Sequence, residues 1–310
     1  MSYYILPKNF NAIPIKLLLT DEKNELYVSH STYNYYNSSL KQLIRDCVTI
    51  NSEITFENIS KIINVYENIS AFSKCKENSL LFYELLEIIN VLYLFDGFHL
   101  SNMNLFILSS DIKSIVNCIY FFRKGRIDTF ISTLQYDFIF YELNNNDYVV
   151  DFILCLIKIL KCQKLGGISV IKIHHLFYKP IIDIVYLLTF LFEKVFIIKP
   201  TISNVSSYEK FIICKGFIPS YYSNTCCQDL SLFSDNYNKI QTIHSLIDFN
   251  IPCYFLNKIN DINIILGQYQ LETIHQFIHI LKNKNKSEKF EFFKNNNKEK
   301  CIQWCEKYKI

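Results

Sequence analysis

Apolar residues in this chain form two kinds of run, and the two kinds alternate from residue 78 to residue 214. Long stretches whose apolar positions recur with a helical period predict helices, and short continuous apolar runs predict strands. The predicted helices are 78–95, 111–125, 146–167 and 179–193. The predicted strands are 103–110, 136–142, 168–173, 194–200 and 208–214.

Glycine and proline mark where two of these helices end and begin. The helix at 146–167 closes on the pair Gly166 and Gly167, a common C-terminal stop because glycine adopts left-handed backbone angles at little cost. Pro180 lies in the first turn of the helix at 179–193, where its missing N–H leaves no helical hydrogen bond unmade. Both signals support the predicted order of elements.

Strands that alternate with helices indicate βαβ units, and therefore a mainly parallel sheet with both faces covered. The last two strands are joined only by "TISNVSS" and its flanking residues, too few for a crossover helix, so we expect an antiparallel hairpin. Such a sheet is similar to the class I methyltransferase architecture, a Rossmann-like α/β fold. Further helical patterns lie outside this region, at 37–48, 55–69, 270–284 and 297–310.

The composition allows a large core and excludes a strongly cationic nucleic-acid coat protein. Half of the 310 residues are hydrophobic, and the net charge is only +3. Any contact with RNA must therefore come from a local patch. The Lys-rich stretch 282–300 is one candidate, although a solvated run of charges is its ordinary interpretation. Asn, Ile, Lys and Tyr are frequent, a bias that indicates an AT-rich genome rather than a structural requirement.

Neither the cysteines nor the apolar runs indicate export or membrane insertion. The chain has 11 cysteines but no CxxC spacing, and its N-terminus has no secretory signal pattern. We therefore expect reduced thiols. The longest apolar stretch is interrupted by Asp183, Glu193 and Lys194, which predicts no membrane span. These features favour a soluble intracellular protein.

The segment 136–217 resembles the C-terminal half of FtsJ-like (RrmJ-type) RNA 2′-O-methyltransferases. The family pattern is a strand ending in Asp, a helix, "GG" before a strand that carries Lys, a helix, and then "F..V...KP..S...SE.Y.V..GF". The string "FEKVFIIKPTISNVSSYEKFIICKGF" matches this pattern closely. The terminal strings "MSYYILPK" and "CIQWCEKYKI" are also similar to FtsJ-like proteins of large DNA viruses.

The resemblance implies a catalytic set of the Lys–Asp–Lys–Glu type, in which the second lysine activates the ribose 2′-OH. Lys172 stands at the position of that lysine, and Glu209 stands at the final acid. Glu142 fills the Asp position with one more methylene. The first lysine belongs just before or within the helix at 78–95, but Lys74 and Lys76 do not fit that register.

The same resemblance implies S-adenosylmethionine as the cofactor, held on a glycine-rich loop after the first strand. Here that loop reads "SSDIKS" and has no glycine. Ser109 and Ser110 are its first residues, and Gly97 is the local glycine upstream. Asp128 is the candidate for the acid that binds the ribose hydroxyls of the cofactor. The catalytic half of the pattern is therefore kept while the cofactor half departs from it.

Other chemical groups give weaker signals. His174 and His175 follow the Lys172 strand and are candidates for substrate contact, although a loop histidine is more often simply solvated. No spacing supports a metal site formed by these residues with Cys162. Cys301 and Cys305 lie one helical turn apart, which is typical of the core face of a helix.

Two functions follow from these patterns. The first is an RNA 2′-O-methyltransferase of the cap-modifying type, and the alternative is a non-catalytic protein of the same fold that binds RNA or stimulates a viral capping or processing complex. A structural virion protein is a third class. We expect a helical N-terminal extension, the methyltransferase domain and a mixed C-terminal appendix at 1–77, 78–220 and 221–310. We also expect localisation in the host cytoplasm or virus factory, or in the virion.

Overall fold

The chain folds around a six-stranded mixed sheet. The computed structural model describes residues 2–11, 15–20, 30–50, 62–75, 77, 79–98, 102–124, 135–144, 147–219, 228, 230, 242–282 and 287–310. Along the chain, the strands of the main sheet are β1 (Ser2–Ile5), β3 (Leu105–Leu108), β4 (Tyr136–Glu142), β5 (Gln163–Ile173), β6 (Phe192–Lys199) and β7 (Lys210–Phe217). Their spatial order is β1-β6-β7-β5-β4-β3. A separate two-stranded sheet pairs β2 (Ile15–Thr20) with β8 (Thr242–Ile247).

Helices connect and cover these strands. Their bounds are α1 (His30–Ile50), α2 (Ile69–Phe72), α3 (Leu80–Leu92), α4 (Ile112–Arg123), α5 (Tyr148–Cys162), α6 (Lys179–Leu191), α7 (Cys253–Lys282) and α8 (Ser287–Tyr308). Short 3-10 turns lie at Val65–Asn68 and Asp96–Phe98. No helix among the described residues is both long and apolar enough to cross a membrane.

The prediction of a mostly parallel α/β sheet with an antiparallel hairpin is confirmed. Strand β4 pairs parallel with both β3 and β5. Strand β7 lies between β5 and β6 and is antiparallel to both, so β3, β4, β5 and β6 run in one direction. The patterns did not predict β1, a four-residue strand that pairs antiparallel with β6 at the sheet edge.

The alternation of side chains along β4 fills two cores, one on each face of the sheet. Ile139 and Tyr141 belong to the core formed with α5, α6 and part of α7. Phe138 and Phe140 belong to the other core, formed with α3, α4 and the end of α8. Because both faces are buried, β4 is apolar apart from Asp137 and its last residue Glu142, as expected for a central parallel strand.

The predicted glycine stop of the helix before β5 is wrong. Helix α5 already ends at Cys162, and Gly166 and Gly167 lie within β5. Gly166 has a φ of +72°, and the register between β4 and β5 shifts between Tyr136 and Phe138. The glycine pair therefore serves an irregular strand start, because a left-handed residue lets the chain bulge before the regular pairing begins.

The C-terminal helix α8 is tied to the main sheet through a buried carboxylate. Trp304 Nε1 donates to Glu87 Oε2 of α3 at 2.8 Å. The two oxygens of Glu87 also accept from the backbone N–H of Thr201, at 3.0 Å each. One side chain thus links α3, α8 and the turn that follows β6.

Candidate functional site

Lys172 and Glu142 meet where two neighbouring parallel strands end. Glu142 is the last residue of β4, Lys172 is the penultimate residue of β5, and the two are paired in register. Lys172 Nζ donates to Glu142 Oε1 at 2.9 Å. Glu209, just before β7, places its Oε1 3.7 Å from the same Nζ. The three residues that the resemblance implied as the catalytic set are therefore brought together. They lie at the carboxyl ends of the parallel strands, where open α/β folds form their sites.

The carboxylates keep Lys172 protonated. Burial favours the neutral amine. The negative charges of Glu209, Glu84 and Glu142 outweigh burial and raise the pKa of Lys172 above its ordinary value. Burial likewise opposes ionisation of Glu142, yet hydrogen bonds from Ser109 and Lys172 hold its pKa at about 2. At neutral pH this pair is an ammonium bound to a carboxylate.

The loop after β3 is bound by Glu142. Ser109 Oγ donates to Glu142 Oε2 at 2.6 Å. The backbone N–H and the hydroxyl of Ser110 donate to the same oxygen at 3.0 and 2.9 Å. One carboxylate oxygen thus takes the donors of the loop that the resemblance assigns to the cofactor, while the other oxygen takes Lys172.

The helix that follows the loop is capped from within the chain. Asp111 Oδ1 accepts the backbone N–H of Ser114 in the first turn of α4, at 3.2 Å. Asp111 Oδ2 accepts the hydroxyl of Ser79, which precedes α3. A side-chain carboxylate therefore already lies at this positive helix end, where an anionic ligand would otherwise be favoured.

Gly97, a further cofactor candidate, does not join the site. Gly97 lies in the turn after α3, and Lys215 at the far end of β7 donates to the carbonyl of Leu92 at the end of the same helix. Lys215 pairs with Ile168, and Ile168 lies about 13 Å along β5 from Lys172 at the usual rise per residue. The structure thus places Gly97 near the amino-terminal end of β5, whereas Lys172 lies near its carboxyl-terminal end. Asp128 lies outside the described residues.

Helix α3 supplies a group that the sequence did not single out. Glu84 is buried, only 2% exposed, and burial raises the pKa of its carboxyl to about 7. The Ser203 hydroxyl and the charge of Lys172 lower that pKa in part. The resemblance placed a lysine just before or within this helix, and the side chain that the helix directs towards Lys172 is instead an acid. The sequence offered little signal for this, because one Glu in an amphipathic helix normally marks the solvated face.

The histidine pair after β5 is mostly structural. The hydroxyl of Tyr148 accepts the backbone N–H groups of His174 and His175 and donates to the carbonyl of His175. Burial lowers the pKa of His175 to about 3, and its ring packs against Phe177. His174 Nδ1 lies 3.8 Å from Glu209 Oε1, although burial lowers the pKa of His174 and favours its neutral form. Only His174 borders the site.

The residues present do not fit S-adenosylmethionine on the loop after β3. The Ser110 N–H is bonded to Glu142, the Asp111 N–H is bonded to Ser109 Oγ, and α4 is capped by Asp111. Backbone donors that would approach a ligand are therefore already satisfied within the chain. No protein-family model matches this chain, and no curated protein matches it significantly.

Proposed function

We propose that this chain is a methyltransferase-fold protein that does not transfer methyl groups and that acts as an RNA-binding or stimulatory subunit of a viral capping or processing complex. The RNA partner and the viral complex come from the sequence resemblance to FtsJ-like proteins. The host cytoplasm, the virus factory or the virion is the proposed location.

The observation that carries the proposal is the binding of Glu142 into the loop after β3. In this arrangement the carboxylate joins Ser109, Ser110 and Lys172 into one closed network. A ligand on the loop would have to break charge-assisted hydrogen bonds, each contributing about 1.5–3 kcal/mol. The network therefore favours a structural role for these residues over cofactor binding.

The protonation of Lys172 supports the same conclusion. A lysine acts as a base only after it has lost its proton, and the pKa of Lys172 is raised rather than lowered. A lysine directed from α3 would have lowered that pKa through like-charge repulsion, whereas Glu84 raises it. Lys172 is thus a bound cation at neutral pH.

A second candidate function is methyl transfer to a ribose 2′-OH. It is favoured by one observation: carboxylate oxygens of Glu142 and Glu209 lie 2.9 and 3.7 Å from the Nζ atom of Lys172. The two candidates predict different results in the same sample.

The test measures RNA binding and methyl transfer together. Binding of a fluorescent capped RNA is followed by anisotropy, and isotopically labelled S-adenosylmethionine reports transfer to that RNA. We expect saturable RNA binding with no label above the enzyme-free background. Label incorporation that is lost in Lys172→Met would establish the second candidate, and absence of both RNA binding and transfer would reject both.

A further inference from the structure

Two buried lysines lie beside the Lys172 site, and neither has a carboxylate partner of its own among the described residues. Lys210 is only 3% exposed and Lys199 only 8%. Lys210 Nζ donates to the carbonyl of His174 at 3.4 Å, a long hydrogen bond. Lys199 Nζ donates to the carbonyls of Ser207 and Glu209. Neither lysine forms an ion pair within the part of the chain that the structure describes.

The charge around these lysines is unbalanced. Burial, together with the like charge of Lys199, lowers the pKa of Lys210 to about 7, and among the described residues no acid opposes this shift. Burial lowers the pKa of Lys199 to about 8, although Glu84 and Glu209 raise it in part. Buried charges are normally paired, so two ammonium groups in one region are costly unless an anion joins them.

Two neighbouring spaces under helix α7 border these lysines. A cavity of about 140 Å³ is lined by Lys199, the polar residues Thr201, Ser203 and Tyr269, and Leu266 of α7. That is about ten times the roughly 10–15 Å³ that one water requires. A smaller space of about 10 Å³, about the volume that one water requires, is lined by both Lys199 and Lys210, and Leu266 also borders it.

The smaller space holds a further unsatisfied polar atom. Asn263 of α7 donates through Nδ2 to the carbonyl of Leu176, but its buried Oδ1 has no hydrogen-bond partner among the described residues. A protonated oxyanion can accept from the lysines and donate to such an oxygen. The two spaces together therefore offer cationic donors, hydroxyls and one acceptor.

We propose that the cavity of about 140 Å³ beside Lys199 binds a phosphate group. Lys199 lines that cavity, and Lys210, which lines the smaller space next to Lys199, supplies a second positive charge nearby. The group belongs either to free phosphate or to the backbone of an RNA. The site is separate from the network of Glu142 and the loop after β3, and it holds whether or not the chain binds RNA.

The test compares the full chain with two variants in phosphate and in chloride at equal ionic strength. Phosphate should raise the melting temperature of the wild-type protein with a saturable dependence on concentration, as a ligand of the folded state does. Lys210→Met should weaken this dependence at least about tenfold, because it removes the second positive charge beside the cavity. Lys113→Met removes the same charge from the exposed surface of α4 and should leave the dependence unchanged.

Phosphorus-31 relaxation of inorganic phosphate with the wild-type protein provides a readout that does not depend on variant folding. No saturable, phosphate-specific effect in either measurement would overturn the proposal, and so would full retention of the effect in folded Lys210→Met. A competition experiment between phosphate and RNA distinguishes free phosphate from an RNA backbone phosphate as the group that the site binds. Phosphate that displaces RNA from wild-type protein but not from Lys210→Met identifies a backbone phosphate, and phosphate binding that leaves RNA binding unchanged identifies the free ion.

Discussion

At the scale of single residues, Glu84 decides how the site responds to protons. Its pKa is raised to about 7 by burial, against an ordinary value of 4.5. A carboxyl whose folded pKa is raised stabilises the fold below its unfolded pKa, and this contribution is lost as the pH rises through the folded value. Ionised Glu84 near neutral pH therefore opposes folding, although it strengthens the hold on the Lys172 proton.

Replacing Glu84 by Gln should remove this pH dependence. Between pH 5 and pH 8 the wild-type protein should lose up to about 3 kcal/mol of unfolding free energy through this group. The buried lysines have lowered pKa values, so their contribution to stability changes with pH in the opposite direction. The quantity to compare is therefore the difference in unfolding free energy between wild type and Glu84→Gln, measured in urea. That difference should favour the variant increasingly as the pH rises. An unchanged difference at pH 5 and pH 8 would show that Glu84 does not titrate in this window.

The same residues show what could be predicted from sequence. Lys172, Glu142 and Glu209 were singled out through the family resemblance, which also gave their expected roles. Glu84 was missed because its importance depends on which helix face is covered, and that is decided by the packing of α3 against the rest of the chain. The bonding of Glu142 to Ser109 and Ser110 was not predictable either, because spacing alone does not tell which hydroxyls close on a carboxylate.

At the scale of elements, apolar runs predicted β3 to β7 and the helices between them, whereas the boundary between α5 and β5 was wrong. The reason is physical, since a glycine pair suits a helix stop and a bulged strand start equally well. Gly166 has the left-handed φ of +72°, a conformation that side chains with a Cβ rarely adopt.

Gly166→Ala should therefore destabilise the protein by about 1 kcal/mol or more, through backbone strain alone. Gly97→Ala is the matched control, because a Cβ at Gly97 meets nothing within 4 Å. Urea unfolding should show no loss for Gly97→Ala. Equal effects of the two substitutions would contradict the bulged start of β5.

A second element-scale prediction concerns the docking of α8. Trp304→Phe removes the N–H that reaches Glu87 and leaves most of the ring packing in place. The buried carboxylate still has the Thr201 N–H, so we expect a loss of about 1–3 kcal/mol. Calorimetric melting measures this change, and an unaltered melting temperature would mean that the bond does not hold α8 on the sheet.

At the scale of the whole molecule, the two outermost strands of the main sheet are β3 on one side and β1 on the other. Among the described residues, β3 is the last strand on its side of the sheet, and α4 is the helix between β3 and β4 along the chain. At the opposite edge, β1 adds a strand that four residues were too few to predict. The fold class was therefore predictable from periodicity, whereas the edges of the sheet were set by tertiary pairing.

Our central proposal is that this chain does not transfer methyl groups, because Glu142 accepts the hydrogen bonds of Ser109 and Ser110 in the loop after β3. Isothermal titration of the folded protein with S-adenosylmethionine tests it most directly. We predict no saturable heat at millimolar ligand. Saturable one-to-one binding, accompanied by methyl transfer to RNA that Lys172→Met abolishes, would contradict the account.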